Sequence, residues 1–352
     1  MNLEELLCEI HRPDAEAMAA ARLRWDSLAK PLGSLGRLEE AVTRIAGITG
    51  DPDVRLDRRA LLVFCADHGV VAQGVTQCGS EVTASVARAL AAGESTVCHM
   101  AKVANCTVIP VDVGIADASE RPGVIPRRIR SGTEDMTARA AMDREECVSA
   151  ILTGAELVRE LAAEGTQIIA VGEMGIGNTT AASAVTSVLL GVAPERVTGR
   201  GAGLSDAGIS RKVSAIKRAI SVNTPDGDDP IDVLSKVGGL ELAAMCGAFL
   251  GGASSHVPVV IDGVISAAAA LCAVRLCPEA RGALLPSHVS SEPAGFLLLD
   301  ALDLKPLLTA ELHLGEGSGA VALLPLLNMA LSVYHSGQTF DRLGIRAYTP
   351  QN

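Results

Sequence analysis

Short runs of uninterrupted apolar residues constrain the fold of this chain more than any other feature. They cover residues 60–66, 106–113, 167–171 and 257–261. Each run is followed by a glycine-containing loop and then by alanine-rich sequence with helical spacing, which is typical of strands buried on both faces. Strands that alternate with helices are joined by right-handed crossovers. The pattern therefore predicts an α/β fold, in which a parallel, Rossmann-like sheet is flanked by helices.

The first fifty residues have a different pattern, that of amphipathic helices. Residues 14–28 and 35–48 have helical spacing, and the Pro31 to Gly33 turn between them ends one helix and admits the next. Residues 116–127 and 223–229 are expected to be surface loops. We predict a large α/β domain over residues 51–325. A small helical domain is predicted from two segments, residues 1–50 and residues 326–352.

Charge and residue patterns exclude several classes of protein. The formal net charge is −11 and no Lys/Arg cluster is interleaved with aromatic residues, so nucleic acid is not expected as a partner. Residues 257–277 form the best candidate for a membrane span, but Asp262 and Gly263 interrupt it, and no span is expected. The chain starts without a basic segment followed by an apolar one, which predicts a cytoplasmic location. The nine cysteines and seven histidines show no metal-ligand spacing, so we expect neither a metal nor another cofactor.

The loops that follow the predicted strands are the first places to look for a ligand site, because ligands of parallel sheets bind beyond the carboxyl ends of the strands. The loop after residues 167–171 reads GEMGIGNTT and contains Glu173, Gly175, Asn178 and Thr179. Its glycines and the helix that follows are suited to holding a phosphate, although it matches neither the Walker nor the dinucleotide-binding motif. A glycine-rich turn without a ligand is the alternative interpretation.

Two later glycine-rich segments and one histidine are further candidates. Residues 198–204 contain Gly201 and precede Lys212, which either supplies a charge for a phosphate or is an ordinary solvated lysine. Glu316 lies between glycines and apolar residues, surroundings that would make it a better general base, and a surface glutamate is the alternative. His68 follows the first strand, where hydrogen bonding that stabilises the loop is more expected than catalysis.

Five motifs in order resemble one enzyme family, the nicotinate-nucleotide:dimethylbenzimidazole phosphoribosyltransferases, which make the lower-ligand nucleotide of cobamides. They are KPLGSLGRLE at residues 30–39, ADHGV at 66–70, GEMGIGNTT at 172–180, DVLSKVGG at 232–239 and LGEGSG at 314–319. Each motif alone is weak, but the five together are specific. The likeness extends from about Asp14 to Tyr334, nearly the whole chain.

The resemblance implies a reaction, a set of site residues and an assembly. The 5-phosphoribosyl group of nicotinate mononucleotide would be moved to an aromatic base, giving an α-ribotide and nicotinate. Glu316 matches the catalytic base of the family, and Glu173 matches a second active-site carboxylate that orients the ribose or supports positive charge on it. Members of the family are dimers, so a homodimer is expected, and a heterodimer with a homologue is the alternative. The positions that match the phosphate and ribose site are Gly175, Asn178, Thr179, Gly201, Lys212 and Ser290.

The acceptor site is where the sequence departs from the family. Some members have a proline and a glutamine among the positions that line this pocket, whereas this chain has CGS at residues 78–80 and Ser85 and Val86, and His313 replaces a frequent arginine. Dimethylbenzimidazole, another benzimidazole, a purine and a phenolic acceptor all remain possible. A nucleotide-binding partner subunit without turnover is the non-enzymatic alternative. The residues expected to line the acceptor pocket are Cys78, Val86, Met174 and Leu314.

Overall fold

The central element of the fold is a six-stranded sheet in which every pair of neighbours is parallel. A computed structural model describes residues 2–349 of the protein. The strands, in spatial order β3-β2-β1-β4-β5-β6, confirm the predicted fold class. Their bounds are β1 Arg59–Ala66, β2 Thr107–Gly114, β3 Ile125–Pro126, β4 Ile168–Met174, β5 Val259–Ile261 and β6 Leu284–Pro286.

The sheet differs from the prediction at three places. The predicted loop at residues 116–127 contains the short edge strand β3, and β6 was not predicted at all, because two or three residues are too few to show a periodicity. Strand β4 continues through Gly172 and Glu173 to Met174, so Glu173 lies in the strand rather than in the loop that follows it. The carboxylate is therefore held by the sheet.

Helices cover both faces of the sheet. They are α1 Leu3–Cys8, α2 Ala15–Ser27, α3 Arg37–Thr49, α4 Glu81–Ala92, α5 Thr96–Val103, α6 Arg144–Ala163, α7 Asn178–Leu190, α8 Pro194–Val197, α9 Asp206–Asn223, α10 Pro230–Val237, α11 Leu240–Ser254, α12 Val264–Leu276, α13 Ala294–Ala301, α14 Ser318–Ser336 and α15 Phe340–Leu343. Two 3₁₀ turns cover Gly69–Gln73 and Pro278–Ala283.

Alternate residues of β1 point to opposite sides of the sheet. Leu62 and Phe64 join a core with α6, α7, α10, α11 and α12. Leu61 and Val63 join a core with α2 to α5 and α14.

Helices α2 and α14 of the terminal segments pack together on one face of the sheet, whereas α1 packs against α11 on the other face. The Trp25 ring of α2 lies 4.8 Å from the Tyr334 ring of α14, and the Tyr334 hydroxyl donates a hydrogen bond to the carbonyl of Pro52 at 2.8 Å. Helix α14 begins at Ser318 beside the sheet, so it connects the terminal segments with the rest of the chain. The division into domains at residues 50 and 325 stays a prediction.

Helix α14 is also the one helix within residues 2–349 that is long and apolar enough to cross a membrane, judged by length and composition. Just over half of its most apolar window is buried inside the protein. Its buried residues, such as Leu323, Leu324 and Leu327, belong to the same core as β1. Its apolar character is therefore accounted for by packing against the sheet.

Candidate active site

A cavity of about 280 Å³ lies beyond the carboxyl ends of β4 and β5, beside the starts of α7 and α14. This is the position at which ligands bind to open parallel sheets. The predicted residues that line it come from distant parts of the chain, and the two glutamates are among them. They are Val86, Glu173, Met174, Gly175, Asn178, Thr179, Gly201, Ser290, Leu314 and Glu316.

Glu173 is buried at the end of β4, with 7% of its surface exposed. Its Oε2 accepts a hydrogen bond from Nδ2 of Asn178, which lies at the start of α7. Burial raises the pKa of Glu173 well above its ordinary value, and the negative charges of Asp262 and Glu241 raise it further, whereas the Asn178 hydrogen bond lowers it. A cation bound in the cavity would favour the ionised form of this carboxyl.

Glu316 lies in a loop whose backbone has an uncommon conformation. Gly315, Glu316 and Gly317 all have positive φ, of 90°, 58° and 85°, and only the glycines adopt such values readily. Glu316 Oε2 accepts a hydrogen bond from the backbone N–H of Val97 at 3.3 Å. Glu316 lines the cavity immediately before α14 begins.

Gly172 brings this loop close to β4. A Cβ atom at Gly172 would lie 2.5 Å from the carbonyl carbon of Glu316 and from the nitrogen of Gly317, so only a residue without a side chain fits. Glu173 Oε1 is equally close to Gly315, where an added Cβ would lie 2.6 Å from it. The segments that carry Glu173 and Glu316 are therefore adjacent because their backbones are in contact at Gly172.

Asp262 is a site residue that the sequence analysis interpreted only as a break in an apolar run. It lies directly after β5, and its Oδ1 accepts hydrogen bonds from the N–H groups of Gly319 and Ala320 at 2.7 and 3.0 Å. Burial raises its pKa to about 6, while these hydrogen bonds oppose the rise. It thus holds the start of α14, and the rule that ligand-site residues follow strands would have found it.

A buried cation lies behind the cavity. Lys212 of α9 was predicted to belong to the phosphate site, but it has no exposed surface and is not among the lining residues. Its Nζ donates hydrogen bonds to Thr179 Oγ1, on a residue that does line the cavity, at 2.8 Å and to the carbonyl of Gly199 at 3.3 Å. Burial lowers its pKa to about 8, although the charge of Glu292 acts in the opposite direction. Glu292 lines the cavity and was missed because nothing in the sequence near it suggests an anion site.

His288 is a further lining residue that the sequence analysis did not single out. Its Nδ1 lies 3.0 Å from the Ser287 hydroxyl, and a Cβ at Gly319 would lie 2.0 Å from that same nitrogen. Burial lowers the pKa of His288, which favours the neutral ring. The imidazole therefore packs against the start of α14, beside Asp262.

Two further candidates are not among the lining residues. Cys78 is half-buried in the loop before α4 and is not among the lining residues; its carbonyl accepts a hydrogen bond from the Thr76 hydroxyl. His68 is buried beneath the site, and its Nε2 lies 2.8 Å from Oε1 of Glu241. Within residues 2–349 no group of three or more His, Cys, Asp and Glu side chains could hold a metal ion.

Comparison with known proteins gives the family. Residues 10–345 match a family model described as "Phosphoribosyltransferase". The chain is 43% identical over 336 residues to the nicotinate-nucleotide–dimethylbenzimidazole phosphoribosyltransferase of Acetivibrio thermocellus, covering 96% of each protein. It is 44% identical over 350 residues to the same-named protein of Ruminiclostridium cellulolyticum, covering 99% of each.

A solved structure gives the same result for the fold. The crystal structure of CobT from Thermus thermophilus is similar to this chain with a TM-score of 0.89 and 42% sequence identity, over 95% of this chain and 100% of that one. The family model and the relatives extend over nearly the whole sequence, as the five motifs do. The chain therefore belongs to the nicotinate-nucleotide–dimethylbenzimidazole phosphoribosyltransferase family.

Proposed function

We propose that this protein transfers the 5-phosphoribosyl group of nicotinate mononucleotide to an aromatic base, 5,6-dimethylbenzimidazole or a related lower-ligand base. The products are an α-ribotide and nicotinate, and the reaction belongs to the assembly of the nucleotide loop of cobamides. The observation that carries the proposal is the presence of Glu173 and Glu316 in one cavity at the sheet's carboxyl edge. Family membership over the full chain supports the same reaction.

The reaction requires positioning and charge rather than a covalent intermediate. The pyridinium ring of the donor accepts the electron pair of the breaking C1′–N bond and leaves as neutral pyridine nitrogen, so the leaving group carries its own activation. A ring nitrogen of the acceptor attacks C1′ from the opposite face, which converts the β-nucleotide into an α-product. We propose that Glu316 takes the N–H proton of the acceptor during this attack.

Glu173 is suited to the ribose side of this reaction. Buried carboxylates in a region of low dielectric interact strongly with positive charge, and charge develops on the ribose ring as the C1′–N bond breaks. The cationic donor would lower the pKa that burial and neighbouring carboxylates raise. We propose that the ionised Glu173 orients the ribose and stabilises this charge.

The donor phosphate would bind at the end of the cavity that contains Gly175, Asn178, Thr179, Gly201 and Ser290, with Lys212 behind Thr179. Main-chain N–H groups near the start of α7, hydroxyl groups and one buried ammonium are the donors that a phosphate needs. The hydrogen bond between Lys212 Nζ and Thr179 Oγ1 supports this assignment.

The acceptor would bind against Val86, Met174 and Leu314, which line the same cavity. These side chains offer apolar surface and no hydrogen-bond donor, which favours a flat aromatic base such as a benzimidazole. A purine or a phenolic acceptor is the alternative within this family. Cys78 would take part only if its loop moved toward the cavity.

A competition experiment tests both activity and selectivity. The protein is incubated with nicotinate mononucleotide and an equimolar panel of benzimidazoles, adenine and phenols, and the ribotides are quantified by mass spectrometry. We expect unequal incorporation, with a benzimidazole preferred. Equal incorporation of all bases would contradict a selective pocket, and no ribotide with any base would favour the alternative of a partner subunit without turnover.

Replacement of the proposed base tests the mechanism. We expect Glu316→Gln to lower kcat by about 10²–10⁴-fold, because the amide cannot accept the proton, while the fold and the affinity for nicotinate mononucleotide are kept. Initial rates and calorimetric titration with the donor measure the two effects separately. Glu311→Gln, which changes an exposed glutamate nearby, is the matched control, and full activity of the Glu316 variant would show that another group is the base.

The family resemblance supports a dimeric assembly. We propose a homodimer in the cytoplasm, with a heterodimer with a homologue as the alternative. Sedimentation and an activity assay of the purified single chain distinguish the two. Without its partner, a heterodimeric enzyme would sediment as a monomer or show no activity in the assay.

A further inference from the structure

The Glu292 carboxylate packs against the glycine-rich loop between α8 and α9. Its Oε1 accepts a hydrogen bond from the backbone N–H of Gly201 at 3.0 Å. Its Oε2 lies so close to Gly199 that an added Cβ there would be 1.9 Å away. One carboxylate therefore lies against the main chain of both glycines, and Gly201 and Glu292 both line the cavity.

The groups around this carboxylate are those that the proposed function assigns to the donor phosphate. Gly201 lies against Thr179 and Lys212: a Cβ at Gly201 would lie 3.0 Å from Thr179 Oγ1 and 3.6 Å from Lys212 Nζ. The charge of Glu292 also raises the pKa of Lys212 against the effect of burial, so the two groups interact electrostatically. The carboxylate and a phosphate would thus use the same N–H and the same cation.

Two anions cannot share this position without a penalty. Like charges a few ångströms apart repel strongly in a partly buried site, and the single N–H of Gly201 cannot be donated fully to both. A flexible glutamate side chain with half-buried surface can turn away, whereas the backbone and Lys212 are fixed in the fold.

We propose that Glu292 is an internal anion that competes with the donor phosphate: its carboxylate occupies the Gly199–Gly201 loop and leaves the Gly201 N–H when a phosphate takes its place. This inference rests on the proposed function for the identity of the donor. When no phosphate is bound, the Glu292 carboxylate accepts the hydrogen bond of the Gly201 N–H and balances the charge of the buried Lys212. It also lowers the affinity for phosphate, so that phosphate-containing products leave more easily.

The competing explanation is that Glu292 is a brace that the phosphate site needs. The two explanations predict opposite effects of removing the charge. Under competition, Glu292→Gln should bind inorganic phosphate about tenfold more tightly than the wild type, because the repulsion is gone. Under bracing, it should bind phosphate more weakly.

Isothermal titration with inorganic phosphate measures this effect without any turnover. The variants are Glu292→Gln and Glu292→Ala, with Glu164→Gln as the control because Glu164 is an exposed carboxylate at the end of α6. Both Glu292 variants should bind phosphate more tightly and the control should match the wild type. Weaker or unchanged binding in both Glu292 variants would overturn the proposal, and the alanine variant decides it if the glutamine variant fails to fold.

Two further measurements fix the place of binding and separate this inference from the proposed function. Lys212→Met should abolish phosphate binding in the wild-type and Glu292→Gln backgrounds, and unchanged binding in both would overturn the proposal because the anion would then bind elsewhere. In steady-state assays Glu292→Gln should lower KM for nicotinate mononucleotide severalfold, whereas a higher KM would overturn the proposal. If no base is ribosylated at all, the proposed function fails while the phosphate titration still decides the role of Glu292.

Discussion

At the scale of single residues, Lys212 shows the cost of burying a charge that we propose for the phosphate site. Its ammonium is fully buried and its pKa falls to about 8, from 10.5 for an ordinary lysine. Each pKa unit corresponds to about 1.4 kcal/mol, so the charged side chain lowers the free energy of unfolding by about 3 kcal/mol at neutral pH. The charge of Glu292 opposes this effect and offsets only part of it.

We expect Lys212→Met to stabilise the protein and to weaken donor binding. Removal of the buried charge stabilises the folded state, and the loss of two hydrogen bonds offsets part of this gain. The free energy of unfolding at pH 7 should therefore rise by about 1–2 kcal/mol. Between pH 8 and 10.5 Lys212 is protonated in the unfolded state but largely neutral in the folded state. The stability of the wild type therefore rises with pH across this range, and the advantage of the variant disappears. Thermal unfolding from pH 7 to 10 measures this, and a variant that is less stable at pH 7 would contradict it.

The same substitution has a kinetic signature. Wild-type KM for nicotinate mononucleotide should rise as the pH passes about 8, because Lys212 loses its charge, and the KM of Lys212→Met should be higher and free of this rise. Initial rates over the same pH range measure it.

The sequence predicted some site residues and not others for a clear reason. Glu173 and Glu316 lie in motifs that can be recognised within a few neighbouring positions. Asp262 binds N–H groups 57 and 58 residues further along the chain, and Glu292 binds one 91 residues earlier. Such pairs become visible only when the sheet has brought the strand ends together.

At the scale of elements, the contact between β4 and the loop before α14 sets the geometry of the site. We expect Gly172→Ala to push the Glu316 loop away from β4, because the added methyl would lie 2.5 Å from backbone atoms that cannot rotate aside. A displacement of about 1 Å at a reacting group costs on the order of 10²-fold in rate, and the overpacking costs about 1–3 kcal/mol of stability. Activity assays and denaturant unfolding measure both.

Gly227→Ala is the matched control for this substitution. Gly227 lies in the loop between α9 and α10, and its added Cβ would meet no atom outside its own neighbours closer than 3.3 Å. Its activity should equal that of the wild type. A Gly172→Ala variant with normal kcat would show that the loop position does not depend on this contact.

The elements were predicted where a pattern in the sequence is long enough to recognise. Strands β1, β2, β4 and β5 were found because each overlaps an apolar run, and α2 and α3 because their spacing extends over several turns. Strands β3 and β6 pair through backbone hydrogen bonds with neighbours that are already in the sheet, which leaves no pattern in their own few residues. The extension of β4 through Glu173 was missed because a charged residue in a buried strand contradicts the usual pattern.

At the scale of the whole molecule, the terminal segments and the sheet share one core. The only tryptophan, Trp25, belongs to the same apolar cluster as Leu61 and Val63 of β1 and Leu327 of α14. We therefore expect tryptophan fluorescence and far-UV circular dichroism to report one coincident unfolding transition in denaturant. An earlier fluorescence transition would instead show that the terminal segments unfold as a separate unit.

The contact of Gly172 with the Glu316 loop separates two parts of the proposed site. The distance between the segments that carry Glu173 and Glu316 is set by backbone against backbone, whereas two of the three side chains proposed to meet the acceptor, Val86 and Leu314, lie on α4 and on the loop before Gly315. We therefore expect substitutions at Val86 or Leu314 to change which base is accepted while this backbone contact is kept. On this proposal, a lineage with the same architecture would acquire new lower ligands one side chain at a time.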